Sequence, residues 1–117
     1  MMKRFAAVAL AASLTACLPH PPPPPPPYRA VAQAPADWTL VIDDRYLSFF
    51  PATGQQPLLQ PVPRPISGVA GQTYQTPRIT VNIVHNQPCT DGRTSLAYPH
   101  TVQVTIDGRL HNGCGGL

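Results

Sequence analysis

Seven consecutive prolines at positions 21–27 constrain this chain more than any other feature. Proline fixes φ near −65° and has no backbone N–H to contribute to a helix or a sheet. The run is therefore predicted to form a polyproline II rod, rising about 3.1 Å per residue and reaching roughly 20 Å. Prolines at 57, 61, 63 and 65, with glycines at 54, 68 and 71, forbid a long regular element across residues 51–77. No segment beyond the rod carries a convincing 3.6-residue apolar period, so little helix is expected, and 117 residues allow a single domain. Proline-rich rods also serve as ligands for recognition domains of the SH3 or WW kind. Such partners work mostly inside eukaryotic cells, and what precedes the rod points elsewhere.

Lys3 and Arg4 are followed by an apolar run over residues 5–14 and by the small residues Thr15 and Ala16. This is the layout of a secretory signal peptide: basic start, short apolar stretch, small-residue cleavage site. The apolar stretch falls short of the roughly 18 residues a membrane-spanning helix needs. Leu14-Thr15-Ala16-Cys17 resembles the lipobox of bacterial lipoproteins. In that family the cysteine is acylated and becomes the first residue of the mature protein. The resemblance implies lipidation of Cys17, and two or more acyl chains give stable anchoring. Leu18, where such lipoproteins carry Asp as an inner-membrane retention signal, resembles the outer-membrane type. The expected organisation is a signal peptide over residues 1–16, a lipidated, proline-rich linker over 17–36, and a β domain over 37–117. The expected location is the outer membrane, facing the periplasm.

Loss of Lys3 and Arg4 leaves six arginines against five aspartates, with no glutamate anywhere. The mature chain is nearly neutral and has no basic run, so a nucleic-acid partner is not expected. The expected partners are the membrane, through the anchor, and an envelope protein.

Residues 38–42 and 46–50 are rich in β-branched and aromatic side chains, and Asp43-Asp44-Arg45 between them suits a hairpin loop. In residues 78–85, Ile79, Val81 and Ile83 share one face; in residues 100–107, Val102, Val104 and Ile106 do the same. Such alternation belongs to half-buried antiparallel strands. One edge strand is expected somewhere in residues 66–74. At Asp107-Gly108 a two-residue turn would set His111 opposite Val104 and leave Leu110 on the polar face. A three-residue loop with a bulge at Gly108 pairs Val104 with Leu110, keeps Leu110 in the core and sets His100 opposite Cys114; this second register is preferred. If residues 78–85 lie antiparallel to residues 100–106, the loop 86–99 reaches the same end of the sheet as Cys114. A Cys89–Cys114 disulfide follows, allowed in the oxidising compartment of an exported chain. The predicted fold is all-β: a small antiparallel sheet or partly closed barrel, closed by one disulfide.

The C-terminal residues Cys89-Thr90-Asp91-Gly92, Tyr98-Pro99, Asp107-Gly108-Arg109-Leu110 and Gly113-Cys114-Gly115 also carry a resemblance. They are similar to a group of small, mostly uncharacterised bacterial envelope proteins with a C-x-D-G-M-S-D motif, then Y-P and a terminal G-C-G, often behind a lipobox. The likeness spans roughly the last thirty residues and departs at Arg93-Thr94-Ser95, where the group has Met-Ser-Asp. It implies a small β domain with a structural disulfide and no assigned activity. No serine lies in a G-x-S-x-G setting, and no acid/base pair is evident, so no enzyme activity and no cofactor are expected. The candidate binding residues are Asp91, Arg93, Tyr98, His100 and Arg109, on or near loop 86–99. His85 and His100 with Asp91 could hold zinc. Histidines that cap an apolar face at strand ends are commoner, and no metal is assigned. His111 is expected on the solvent face. The expected function is an anchored binding or structural module. Inhibition of lysozyme, as by small lipoproteins of similar size, stands second, and metal-dependent catalysis third.

Overall fold

The computed structural model describes residues 19–117; the segment 1–16 expected to be a signal peptide, and Cys17, lie outside the described residues. The fold is all-β. Nine strands form one antiparallel sheet curled into a half-barrel, in the order β4-β3-β2-β1-β11-β10-β7-β6-β5, and β8 (Cys89–Thr90) pairs with β9 (Ala97–Tyr98) in a small second sheet.

The alternation in the sequence determines which face is filled. In β7 (Ile79–Val84) the side chains of Ile79, Val81 and Ile83 are buried, and in β10 (His100–Ile106) those of Val102 and Val104. The two strands pair Val102 with Ile83 and Val104 with Val81, so these residues meet on the concave side. Across the barrel, β2 (Thr39–Ile42) and β3 (Tyr46–Phe50) contribute Leu40, Ile42, Leu47 and Phe49 to the same core. Their hairpin turns at Asp43, whose carboxylate accepts from the backbone N–H of Arg45 and of Tyr46 at 2.8 and 2.7 Å.

The linker ends earlier than expected. Tyr28–Ala32 is not flexible chain but strand β1, bonded to β2 on one side and to β11 (Arg109–Gly115) on the other, in the middle of the sheet. The β domain therefore begins at Tyr28, not Asp37. Large apolar residues are absent because there is no room for them: Ala30 sits opposite Gly115 and Ala32 opposite Gly113, and both alanines are fully buried. Small residues let the sheet curl tightly there.

The turn at residues 107–108 is the two-residue form. Asp107 and Gly108 have φ of 48° and 85°, and Ile106 pairs with Arg109. A turn with both central residues at positive φ matches the right-handed twist of the flanking strands, and that match outweighs the burial of one leucine. Leu110 consequently points outward, and Val104 faces His111. The frame moves by one residue along the strand: His100 faces Gly115, and Cys114, opposite Thr101, lies on the convex side.

The disulfide Cys89–Cys114 is present, with Cα atoms 5.5 Å apart. It straps the loop 86–99 across the convex face of β11, where Cys114 is fully buried. In the proline-rich middle, the expected edge strand is a hairpin of β5 (Ile66–Ser67) and β6 (Gly71–Gln75), and β4 (Leu58–Pro61) forms the opposite edge. Residues 62–65 run between the two edges of the open barrel, with Val62 packed on the core. Pro61, Pro63 and Pro65 lack the N–H groups that would extend either edge.

Candidate functional site

Three groups of side chains cluster on this frame. The first is loop 86–99 on the convex face. Asp91 is 5% exposed, and its carboxylate accepts from the N–H of Arg93 and of Thr94, both at 2.8 Å, and from the hydroxyls of Thr94 and Tyr98. Hydrogen bonds from the Thr94 and Arg93 backbone hold this carboxyl below the usual carboxylate range. Burial, and next the charge of Asp91, push the Tyr98 phenol up. The Arg93 guanidinium donates to the carbonyls of Ala32, at 3.2 Å, and of Ala36. The structure thus brings Asp91, Arg93 and Tyr98 together, but their polar atoms are occupied by the protein itself. They tie the loop to the turn after β1, where the N–H of Ala34 donates to the carbonyl of Asp91 at 2.8 Å.

The second group closes the end of the barrel where the proline run enters. His100 and His85 stack with ring centroids 4.5 Å apart, and the Tyr28 ring also stacks on His100, at 5.8 Å. The Tyr28 hydroxyl and His100 Nδ1 are 3.0 Å apart, the phenol donating when the imidazole carries its proton on Nε2. Burial, with a smaller contribution from His85, lowers the pKa of His100 below its ordinary value, and burial raises that of Tyr28. Asp91, held within its own loop, does not join the two histidines. Among the described residues no three metal-ligating side chains are grouped to hold an ion.

The third group lies at the opposite end, which we call the mouth. Arg109 belongs here. It pairs with Ile106 on the concave side, five residues along β11 from Cys114, whereas loop 86–99 is strapped to the convex side. The two-residue turn directs Arg109 and His111 onto the concave face, two residues apart. His111 is therefore not on the solvent face as expected. Its ring lies 5.6 Å from Phe49 and 6.4 Å, edge-on, from Trp38, and Trp38 and Phe49 are 5.3 Å apart. Cavities of about 230 and 380 Å³ open here and share Phe49, Pro51, Gln55 and His111 as lining. Arg78 and Asp107 form an ion pair at 2.8 Å on the rim. The buried indole N–H of Trp38 has no hydrogen-bond partner among the described residues.

Trp38, Phe49 and His111 were not among the expected site residues. The signal that could have revealed them is the two-residue turn, since that register alone puts Arg109 and His111 in line with Val104. Comparison with family models, curated proteins and solved structures gives no match.

Proposed function

We propose that this protein is a lipid-anchored module of the bacterial envelope, held at the outer membrane and facing the periplasm, with a binding rather than a catalytic role. The observation that carries the reading is the junction at Tyr28. The proline run passes without an intervening loop into β1, which is hydrogen-bonded on both sides at the centre of the sheet. Pro25, Pro26 and Pro27 also line cavities against Tyr28, Tyr74 and His100, so the rod ends against the domain. A tether at Cys17 would then hold the histidine end toward the lipid surface, roughly 20 Å away across the rod, and turn the mouth outward. The mouth supports a binding role because it is concave and sets apolar side chains such as Phe49 and Leu58 beside polar ones such as Gln55 and Arg109, the mixture that gives a ligand site both area and orientation.

Intact mass spectrometry of protein purified from its native membrane tests the anchor: the expected species begins at Cys17 and carries acyl chains. A photo-crosslinking residue at Gln56, on the mouth, tests the binding role in cells. A discrete adduct is expected from that position and not from Thr80 on the convex face. An unlipidated chain, or no adduct from the mouth, would overturn the corresponding half of the proposal.

A further inference from the structure

We infer that the mouth is a receptor for the carboxy terminus of a peptide, its carboxylate held by Arg109 and its last, apolar side chain seated on Phe49, Leu58 and Ile106. The inference rests on the binding role proposed above, and not on the anchor. Four observations converge on it. Arg109 projects into the larger cavity and makes no ion pair among the described residues, whereas its neighbour Arg78 is neutralised by Asp107. The cavity thus keeps one uncompensated positive charge beside an apolar floor. A guanidinium recognises a carboxylate through paired N–H donors, an arrangement an ammonium cannot reproduce.

The second observation is Trp38, whose ring lines the smaller, adjoining cavity while its indole N–H is buried without a partner among the described residues. A buried donor without an acceptor is costly, so a small turn of the indole that opened its N–H to the cavity would be favoured by a peptide carbonyl oxygen arriving there. Third, Asp37 lines that same smaller cavity, at the far side of the shared wall from Arg109. An acidic group there disfavours a second carboxylate and suits the N–H groups of a peptide backbone. Charge along the lining therefore runs from positive at Arg109 to negative at Asp37, the order met by a chain that ends at Arg109, while Arg93 lies outside the lining with its guanidinium on the carbonyl of Ala36. Fourth, Gln55 on the shared wall offers both a donor and an acceptor to a backbone amide.

Trp38 is the sole tryptophan, so its fluorescence and its indole N–H resonance report on this site alone. The full chain is titrated with acetyl-trialanine bearing a free carboxylate, with the same peptide as its C-terminal amide, and with hexanoate. A saturable change with the free acid is expected, with the amide weaker by about tenfold or more, the worth of a charge-assisted hydrogen bond. Arg109→Gln is expected to lose the same factor, and Arg29→Gln on the convex face none. Equal binding of acid and amide would overturn the carboxylate, while leaving a binding role at the mouth intact. Hexanoate binding as tightly as the peptide would overturn the peptide assignment, and no saturable change with any probe would overturn the inference.

Discussion

At the scale of single residues, Gly113 and Trp38 explain each other. A Cβ at position 113 would stand 2.5 Å from Cη2 of Trp38 and 2.3 Å from the carbonyl oxygen of Val31. The indole occupies the place a side chain would take, and the clash with Val31 is with backbone that cannot rotate away. Gly113→Ala is therefore expected to destabilise the domain by about 1–3 kcal/mol, measured as a lower urea midpoint. His100 makes a pH prediction. Its folded-state pKa lies below the ordinary 6.5, so the unfolded chain binds the proton more readily in the interval between the two values. The contribution is present above pH 6.5 and is lost as pH falls from there through the folded-state value. Wild-type urea midpoints should drop across that window, and His100→Gln should flatten the drop. A midpoint in the wild type that rises on acidification there would contradict the assignment. Arg93 and Asp91 were recognisable in the sequence as residues of consequence. The partners of Arg93 were not, because it spends its donors on carbonyls near position 34, some sixty residues away in the chain.

Among the elements, the strap formed by loop 86–99 is the clearest case of a device added to a small core. The disulfide joins residues 25 apart, and in the chain-entropy model a loop of that length is worth roughly 3.5 kcal/mol. Replacing Cys89 and Cys114 together by serine should lower the unfolding free energy by about that amount, read by urea denaturation. A loss well under 1 kcal/mol would mean that Arg93 and Asp91 hold the strap without it. The strand pair β7 and β10 was legible in advance, because alternation with period two is a local property of the chain. The join between β10 and β11 was not. Two turns fit the same residues, and the choice rested on weighing one buried leucine against strand twist. The structure resolves it toward twist, and the site changes with it, since His111 and Arg109 enter the mouth only in that register.

For the molecule as a whole, the position of β1 matters most. It bonds to β2 and to β11, and so joins the half of the sheet made by β2, β3 and β4 to the half made by β11, β10, β7, β6 and β5. A chain shortened to begin at Asp37 would lose the strand that unites two half-sheets, and is expected to show no cooperative thermal unfolding; a chain beginning at Pro19 should keep it. Equal, cooperative transitions for the two would show that β1 is dispensable. The sequence by itself determined that this chain is a β protein, that residues 79–84 and 100–106 present one apolar face each, and that Cys89 meets Cys114. All three depend on patterns within a few residues or on one geometric closure. Only the tertiary structure decided that Tyr28–Ala32 is a central strand, which way His111 faces, and that Arg109 lies apart from Arg93. A stretch of small residues reads as linker until glycines from the far end of the chain are set against it, and register is a relation between strands that no single strand contains.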